Sequence, residues 1–285
     1  MIIVKIQGGL GNQLFQYAAG KNLATKNNTP HKLDITEYDD KNNQRRYRLN
    51  NFLIEENIAT REEIARYRIS GWQKIADRLK PRFQRKYIQY LGYKFNEDIL
   101  KIKNKNLYFD GYWQSEKYFS DMENDIRKEF KLKIPLEKKF PDLLSVFDEN
   151  SISLHIRRGD YLKEKISSIY GLLPPEYYYR ALTVLTSKIK NPNIFVFSDD
   201  IPWTKKNLTL PHSTIFISRY KKLEDYEELI LMSRCQHNII ANSSFSWWGA
   251  WLNENPKKIV IAPRKWFATE KYNHDELLPK NWLKL

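Results

Sequence analysis

Short apolar runs alternate with helical stretches along the 285-residue chain. The first run, at 2–6, is rich in β-branched residues and predicts a strand. A glycine-rich segment follows at 8–13, and the apolar positions of 14–24 then recur at helical spacing. A strand, a glycine turn and a helix form the opening unit of a doubly wound α/β domain. A further strand is predicted at 31–34, and the segment 105–119 predicts a strand followed by a turn into a helix.

The same alternation restarts in the second half of the chain. The segment 131–141 holds two prolines and four lysines with little periodicity, which predicts a linker and a domain boundary near residue 145. Beyond it, strands are predicted at 152–156, 193–197, 213–217, 237–241 and 258–263, and helices at 175–190, 224–235 and 247–253. The fold class is therefore α/β. We expect two Rossmann-type domains, 1–145 and 146–285, which face each other across a crevice and bind ligands at the carboxyl ends of their strands.

The segment 66–94 departs from this alternation of strands and helices. Residues 66–94 hold nine Lys or Arg and one acidic residue, a net charge of +8 out of +14 for the whole chain. Apolar residues recur there at spacings of three and four, interrupted by Pro81; they are Trp72, Ile75, Leu79, Phe83 and Tyr87. Two interpretations stay open: a helix that lies on an anionic membrane surface, or a helix whose apolar side packs on the amino-terminal domain.

Composition narrows the class of protein. The apolar fraction is 41%, which excludes a disordered chain. The aliphatic runs are far shorter than the ~20 residues of a membrane-spanning helix, and the amino end lacks the apolar core of a signal peptide. One cysteine, Cys235, excludes an internal disulfide or a multi-thiolate zinc site. We therefore expect a cytoplasmic protein whose basic charge suits phosphate-bearing ligands.

The strongest candidate for chemistry is the segment Leu154–Tyr161, where a predicted strand passes into a loop. Arg157 and Arg158 are adjacent, and two neighbouring guanidinium groups repel each other unless an anion or a carboxylate compensates them. The planar guanidinium suits phosphate oxygens, and Gly159 allows a sharp turn. The alternative is a surface arginine pair bound to Asp160.

A second candidate is the polar segment 242–246, Asn-Ser-Ser-Phe-Ser, between a predicted strand and a predicted helix. Asn and Ser are preferred helix caps, and a helix amino terminus is also a seat for phosphate. Both interpretations stay open. The tryptophan-rich segment 247–251 that follows is better explained by core packing than by base stacking.

Two weaker candidates remain. The glycine segment 8–13 resembles a dinucleotide fingerprint, but the required third glycine is replaced by Leu14, and no P-loop Lys-Ser/Thr pair follows. It is either a turn that lets the backbone approach a ligand or a purely structural turn. Asp199 and Asp200 end a predicted strand, where they could bind a nucleoside, bind a metal or cap the next turn.

Three segments carry a resemblance to a known family: GGLGNQLFQY at 8–17, HIRRGDY at 155–161 and HNIIANSSFSWWGAWL at 237–252. The segments DGYWQS at 110–115 and FSDD at 197–200 also fit. The chain resembles the bacterial inverting α1,2-fucosyltransferases over essentially its whole length. The basic segment 66–94 matches no motif of that family.

The resemblance implies a GT-B-like fold and transfer of L-fucose, with inversion, from GDP-β-L-fucose to the 2-hydroxyl of a terminal galactose. It implies catalytic roles for Arg157, which would grip the β-phosphate, and for Asn12 in the glycine segment. Residues expected to bind GDP-fucose are Gly9, Gly11, His155, Arg158, Asp160, Asp199, Asp200, Ser243, Ser244, Phe245 and Ser246. The resemblance does not identify the general base, and His31, Asp34, Asp110 and Glu116 are candidates only if they face the crevice.

The expected partners are GDP-fucose and a galactose-terminated glycan, free or lipid-linked, such as a surface polysaccharide. No cofactor or metal is expected, because arginine can stabilise the leaving phosphate. A peripheral contact with anionic lipid at the inner face of the cytoplasmic membrane is a further expectation. The alternatives are a fucosyltransferase of different linkage and a basic peripheral membrane or nucleic-acid-binding protein. Nucleic acid is not expected as a partner, since the basic excess is concentrated in 66–94 and such a partner would leave the three motifs unexplained.

Overall fold

The computed structural model divides the chain into two compact units: Met1–Lys133 with Asp275–Leu277, and Ile134–His274 with Leu278–Leu285. The structure describes residues 1–40, 42–67, 71–81, 84–90, 92–210, 213–219, 223–270, 272 and 276–285. None of the helices in these ranges is both long and apolar enough to cross a bilayer.

The first unit is built on a four-stranded parallel sheet of order β2-β1-β4-β3. Its strands are β1 (Ile2–Lys5), β2 (His31–Asp34), β3 (Tyr87–Tyr90) and β4 (Leu107–Gly111). Its helices are α1 (Leu10–Lys26), α2 (Arg61–Tyr67), α3 (Trp72–Leu79) and α4 (Glu123–Glu129). Strands β1 and β4 are neighbours at the centre of this sheet, so the loops that follow them lie side by side at its carboxyl edge.

The predicted strands at 2–6, 31–34 and within 105–119 are confirmed, the last as β4 followed by a short 3₁₀ turn at Glu116–Tyr118, but two predictions in this unit are wrong. Helix α1 begins at Leu10 instead of 14, because Gly9 is its N-cap and the next residues are buried in its first turn. The helical spacing at 72–87 does not describe one helix. Helix α3 ends before Pro81, which has no N–H to continue it, and Tyr87 opens β3 with its ring stacked on Tyr108. The predicted apolar position Phe83 lies outside the described residues.

The second unit is built on a six-stranded parallel sheet of order β10-β9-β8-β5-β6-β7. Its strands are β5 (Ser151–Ile156), β6 (Asn193–Ser198), β7 (Ser213–Phe216), β8 (His237–Ile239), β9 (Val260–Ala262) and β10 (Leu283–Lys284). Its helices are α5 (Leu136–Lys139), α6 (Pro141–Leu144), α7 (Glu164–Tyr170), α8 (Pro175–Thr186), α9 (Ile201–Asn207), α10 (Asp225–Arg234) and α11 (Ser244–Leu252). All five predicted strands and all three predicted helices of this half are confirmed, with small shifts at their ends.

This sheet has the strand order of a Rossmann fold. Counted from its first strand in the chain, the order is 3-2-1-4-5-6, with the reversal between β5 and β8. Strand β5 is buried along its whole length, as expected for a parallel sheet covered on both faces. The core packs Ile152, Leu154 and Ile194 of the sheet against Tyr178 and Leu182 of α8.

The predicted boundary near 145 lies inside the second unit. The segment predicted as a linker, 131–141, contains α5 and leads into α6, and two ion pairs join α5 to α10. Lys139 Nζ lies 2.5 Å from Glu227 Oε1, and Arg234 Nη2 lies 2.7 Å from Glu137 Oε1. These contacts explain why the second unit begins at Ile134.

Candidate active site

Two loops and one helix terminus meet the reversal point of the second sheet. The loop after β5 carries the arginine pair, the loop after β8 carries Asn242 and Ser243, and α11 begins directly after it. In open parallel sheets, ligands bind beyond the carboxyl ends of the strands at this position. The fold therefore brings together the two segments that the sequence singled out.

Arg157 lies between two carboxylates. Its Nη1 is 2.7 Å from Oδ2 of Asp199, and its Nη2 donates a hydrogen bond to Oδ1 of Asp160. The guanidinium also lies 5.5 Å from the ring centroid of Tyr161. Gly159 makes room for Asp199, because a Cβ at this position would lie 2.6 Å from Oδ2 of that aspartate.

Arg158 is fixed by a carboxylate and an aromatic ring. Its Nε lies 3.2 Å from Oδ2 of Asp200, and its guanidinium lies 3.8 Å from the ring centroid of Trp203. Its backbone N–H donates to Oδ1 of Asp199 at 2.8 Å. The other oxygen of Asp200 accepts from the backbone N–H of Trp203 at 3.1 Å and so caps α9. The capping interpretation of Asp200 is therefore confirmed.

The arginine pair is compensated within the protein. Two arginines and three aspartates give this cluster, defined as Arg157, Arg158, Asp160, Asp199 and Asp200, a formal net charge of −1. The cluster thus offers no positive excess to an anion as long as every pair holds. A guanidinium has five N–H donors, so Arg157 keeps donors beyond those that face its two carboxylates.

His155 presents an unpaired nitrogen beside this cluster. The side chain is buried on β5, and Nδ1 has no hydrogen-bond partner in the described chain. Burial, with a smaller contribution from the charge of Arg157, lowers the pKa of His155 to about 3. Its ring lies 5.7 Å from the ring of Phe245 in α11. A neutral imidazole with an unsatisfied buried nitrogen costs roughly 1–3 kcal/mol, which makes it a candidate for a ligand hydrogen bond.

Helix α11 begins three residues before the predicted start at 247. Ser243 is its N-cap, with Oγ accepting from the backbone N–H of Phe245 at 3.3 Å. Ser244, Phe245 and Ser246 form the first turn, where Ser244 and Phe245 are half-buried and Ser246 is buried. Capping is confirmed, and a phosphate seat at this terminus stays a prediction. The three tryptophans Trp247, Trp248 and Trp251 are buried, which confirms core packing.

Asn242 joins the loops around this terminus. Its Nδ2 donates to the backbone oxygens of Tyr170, at 2.7 Å, and Trp266, at 3.2 Å. Its own backbone oxygen accepts from Tyr161 Oη at 2.8 Å. Oδ1 of Asn242 has no partner within the described ranges. Asn242 Oδ1 is thus a buried acceptor available to a ligand at the reversal point between β5 and β8.

Glu228 adds a titratable group near the arginine cluster. Its Oε2 accepts from Ser218 Oγ at 2.8 Å, and the same hydroxyl accepts from the backbone N–H of Ser198 at the end of β6. Burial raises the pKa of Glu228 to about 7, and the charges of Asp225 and Asp199 act in the same direction against the Ser218 hydrogen bond. This carboxyl therefore changes charge near neutral pH.

The glycine segment of the first unit is held by hydrogen bonds to one carbonyl. The backbone oxygen of Gly8, which has φ +77°, accepts from Tyr38 Oη at 2.9 Å and from Gln13 Nε2 at 3.1 Å. Gly9 then caps α1 with extended backbone, and Gly11 is a buried helical residue. The turn is therefore shorter than the predicted 8–13, because Gly11 does not belong to it.

Asn12 lies in the first turn of α1 and contacts the loop after β4. Gln114 Nε2 donates to Asn12 Oδ1 at 2.8 Å. Gly8 gives the Asn12 amide room, since a Cβ at Gly8 would lie 2.9 Å from Nδ2. Between β4 and Gln114, Trp113 is buried with φ +53°, a conformation that costs a non-glycine residue on the order of 1–3 kcal/mol and is typical of functional loops.

The structure narrows the candidates for a general base. His31 is buried at the amino end of β2, the edge opposite the ligand-binding one, so it does not meet the condition set for a base. Asp34 accepts from Tyr108 Oη at 2.5 Å and from Thr36. Asp110 accepts from Tyr87 Oη at 2.9 Å and from two glutamines.

Both aspartates are thus already held by neutral donors. Glu116 lies half-buried in a short turn after β4. It remains a candidate for the base.

A cavity of about 730 Å³ opens in the first unit. It lies beside the carboxyl ends of β1 and β2, and most of the residues that line it are polar or charged: Lys5, Thr36, Glu37, Asp39, Asp40, Asn42, Asn43 and Arg61, with Ile64 and Ala65. Carboxylates, amides and a guanidinium are the groups that hydrogen-bond sugar hydroxyls. Across the described residues, no group of three or more His, Cys, Asp or Glu side chains is arranged to hold a metal ion.

Sequence reasoning missed four residues that organise the site: Tyr161, Trp203, Glu228 and Gln114. Tyr161 stands within the arginine motif, and Trp203 stands three residues after Asp200, a spacing that brings a helix cap and the next turn together. Glu228 carries no signal of this kind. Gln114 stands within the segment DGYWQS, but its partner Asn12 lies 102 residues earlier in the chain, so the sequence does not show their contact.

The comparisons with known proteins agree with this architecture. The model of glycosyl transferase family 11 matches residues 77–285. The chain is 32% identical to an alpha-1,2-colitosyltransferase of Escherichia coli, with 100% of this chain and 99% of the relative covered. It is also 32% identical to the O-antigen biosynthesis glycosyltransferase WbnK of Escherichia coli, with 98% and 99% covered. The crystal structure of POFUT1 in complex with GDP-fucose superposes with a TM-score of 0.52 at 12% identity, covering 92% of this chain and 97% of that one.

Two α/β units with parallel sheets, one of them in Rossmann order, define the GT-B-like class of glycosyltransferase fold. The chain belongs to glycosyltransferase family 11 and is a glycosyltransferase. The predicted fold class, enzyme class and family are confirmed.

Proposed function

We propose that this enzyme transfers L-fucose, with inversion, from GDP-β-L-fucose to the 2-hydroxyl of a terminal galactose in a surface glycan. The observation that carries the proposal is the meeting of Arg157 and the amino terminus of α11 at the reversal point of a Rossmann sheet. Both elements suit a diphosphate, through the guanidinium fork and through the backbone N–H groups of a helix terminus.

The second unit would bind the donor. Arg157 would hold the β-phosphate, and Ser243, Ser244, Phe245 and Ser246 would line the phosphates. Because the arginine cluster has a formal net charge of −1, binding requires at least one carboxylate to give up its arginine. Asp160 is the candidate, since it lies in the same short loop as Arg157 and its side chain is partly exposed.

The nucleoside would be recognised beside the diphosphate. His155 is buried, neutral and has an unpaired Nδ1, so it is suited to a hydrogen bond with the guanine or the ribose. Asp199 and Asp200 are each engaged with an arginine. We therefore assign these two aspartates to the positioning of Arg157 and Arg158, in place of the nucleoside contact that the family resemblance implies.

The proposed transfer of fucose is a single displacement at C1 of the sugar. The acceptor oxygen forms a bond to C1 of the sugar, the bond from C1 to the β-phosphate oxygen breaks, and a base takes the acceptor proton. GDP leaves with the electron pair. Negative charge grows on the phosphate during this step, so a guanidinium placed there stabilises the transition state more than the ground state. This supports a reaction that needs no metal ion.

The first unit would bind the acceptor. Asn12 would face the donor sugar or the diphosphate from the start of α1, next to Gly9 and Gly11. The polar cavity at the carboxyl ends of β1 and β2 offers carboxylates and amides to sugar hydroxyls. A glycan of the O-antigen class fits the name of WbnK, and such an acceptor would place the enzyme in the cytoplasm.

The donor sugar has a second candidate. Colitose is L-fucose without its 3-hydroxyl, and a relative with full-length similarity is an alpha-1,2-colitosyltransferase. A site built for the 3-hydroxyl rejects the sugar that lacks it, because buried polar groups then lose their partner. We favour fucose as the donor sugar because of the motifs shared with the fucosyltransferase family. A transfer assay distinguishes the two donors.

The decisive test is a transfer assay with purified enzyme. GDP-L-fucose and GDP-colitose are each offered with a panel of β-galactosides, released GDP is measured, and the product linkage is read by NMR. The proposal expects an α1,2-linked fucosyl product and a much higher kcat/KM for GDP-fucose. Preference for GDP-colitose, another linkage, or no stabilisation of the folded enzyme by GDP would contradict it.

A further inference from the structure

Helix α3 of the first unit turns its apolar side away from the protein. Trp72, Ile75 and Leu79 lie on one face of the helix, at spacings of three and four residues. Their exposed fractions are 74%, 64% and 83%. Single exposed apolar side chains are ordinary, but three large ones on one face are the opposite of a helix that packs on a core. The expectation that this face packs on the amino-terminal domain is wrong for these residues.

The polar side of α3 faces inward and is fixed there. Asp77 is buried, and its carboxylate accepts from the backbone N–H groups of Lys86 and Tyr87 at the start of β3, at 3.1–3.2 Å. Lys80 Nζ lies 3.2 Å from the same carboxylate. The helix is therefore held to the sheet by its polar face, which keeps the apolar face outward.

The surroundings of this face are basic. The segment 66–94 has a net charge of +8, and Arg78 and Lys86 are exposed on either side of the turn after α3. Arg85 has a different role, since it donates to the backbone oxygens of Lys80, at 2.9 Å, and Arg78, at 2.6 Å. It closes the carboxyl end of α3 and belongs to the fold.

We propose that the α3 surface, defined as Trp72, Ile75, Leu79, Arg78 and Lys86, docks on an anionic lipid bilayer. A helix with an apolar face and flanking cations lies in the plane of the interface, with its apolar side chains in the headgroup region. Tryptophan favours this region, and each cation near an anionic surface strengthens binding about fivefold. A second copy of the chain fits less well, because two segments of net charge +8 would repel each other.

The proposal goes beyond the transfer reaction and does not depend on the donor sugar. It explains two properties of segment 66–94 that have no role in the candidate active site: its basic charge and its exposed apolar face. A glycan acceptor carried on a membrane lipid would then be met at the surface where the enzyme already resides.

The test is co-sedimentation of the full chain with vesicles of phosphatidylcholine, with and without phosphatidylglycerol. We expect binding only to the anionic vesicles, and weaker binding as salt is added. The double variant Arg78→Gln/Lys86→Gln should lower the partition coefficient about 25-fold, and Ile75→Gln/Leu79→Gln should also lower it. The matched control is Lys188→Gln/Lys257→Gln, which removes the same charge from exposed positions of the second unit and should bind like the wild type.

A depth-sensitive measurement separates insertion from loose adsorption. Lipids brominated near the headgroup should quench part of the tryptophan fluorescence of the wild type, and Trp72→Phe should remove that part.

Three results would overturn the proposal. They are equal pelleting, or none, with neutral and anionic vesicles; an equal loss of binding in the control and in Arg78→Gln/Lys86→Gln; and a dimer in sedimentation velocity that is lost in Ile75→Gln/Leu79→Gln without vesicle binding.

Discussion

The side-chain amide of Gln114 donates to Oδ1 of Asn12 across 2.8 Å and thereby joins two loops that are 102 residues apart in the chain. One loop follows β4 and the other leads from β1 into α1, so the bond joins the loops that follow the two central strands of the first sheet. Gln114 is buried, and the buried contact fixes which way the Asn12 amide points. Under the role proposed for Asn12, Gln114 is a positioning residue that acts on transfer through the Asn12 amide.

We expect Gln114→Ala to lower kcat about tenfold, the effect of losing one buried hydrogen bond, with little change in the KM for donor. Asn12→Ala should lower kcat further. The double variant should be no slower than Asn12→Ala, because the two effects share one contact. Steady-state kinetics of the three variants checks this, with the exposed Gln84→Ala as control. Additive losses would show that Gln114 acts independently of Asn12.

Arg157→Ala should remove nearly all transfer, with a loss in kcat/KM of roughly 100-fold or more. Arg157→Lys should also fail, because an ammonium group does not reproduce the guanidinium fork. Folding should survive, since the pairs with Asp160 and Asp199 are partly exposed and each stabilises the fold by about 1 kcal/mol or less. Kinetics and thermal melting test both statements, with the exposed Arg180→Ala as control. Turnover near that of the wild type in either variant would refute the role.

Transfer should continue in EDTA at an undiminished rate. The cationic role at the leaving phosphate is assigned to Arg157 and to the terminus of α11, so chelation removes nothing that the reaction uses. The measurement is released GDP with and without chelator, followed by addition of Mg²⁺ or Mn²⁺. Activity that disappears with EDTA and returns with metal would make Asp199 and Asp200 metal ligands.

His31 should make the first unit sensitive to acid. Burial, aided by the charge of Lys21, lowers the pKa of His31 to about 3, while the unfolded chain takes up this proton near pH 6.5. Unfolding therefore binds a proton between these values. The free energy of unfolding should fall by about 1 kcal/mol for each pH unit below 6.5.

The variant His31→Gln should lose this slope. Hydrogen exchange of β1 and β2 peptides at several pH values follows the first unit separately from the second. Parallel pH profiles for the variant and the wild type would contradict the assignment.

Glu228 should make donor binding weaken as the pH rises through about 7. Burial raises the pKa of Glu228 to about 7, so above this pH a further negative charge stands near Asp199 and repels the diphosphate. Calorimetric titration with GDP should show a smaller pH dependence for Glu228→Gln than for the wild type, and none of this change for the exposed Glu254→Gln. An unchanged profile in Glu228→Gln would exclude the carboxyl as the source.

Much of the second unit could be predicted from the sequence, because its buried parallel strands are continuous apolar runs. The short helices α7 and α9 escaped prediction, since seven residues give too few turns for a periodic pattern. In the first unit, Tyr87 satisfied a helical spacing by coincidence. Only its pairing with Tyr108 in β4 identifies it as the start of a strand.

The sequence allowed us to predict which residues belong to the candidate site, but not which of them contact each other. The pairing of β5 with β6 sets Ile156 opposite Ser198. The next residues are then Arg157 beside Asp199 and Arg158 beside Asp200, and these are the observed ion pairs. The sequence shows both pairs of residues but not the register that joins them. For this reason, compensation by carboxylates that lie far along the chain could not be separated from compensation by a ligand.

The first unit does not end at Lys133, because it also contains a short segment near the carboxyl end of the chain. In this segment, the backbone oxygen of Glu276 accepts a hydrogen bond from Ser115 Oγ at 2.6 Å. The carboxylate of Glu276 lies 2.5 Å from Lys117 Nζ. The halves of this enzyme are thus not separable by a single cut. A chimera that exchanges the second unit within the family has to keep Glu276 and Leu277 from the parent of the first unit, and a fragment ending at Lys133 lacks part of its own structure.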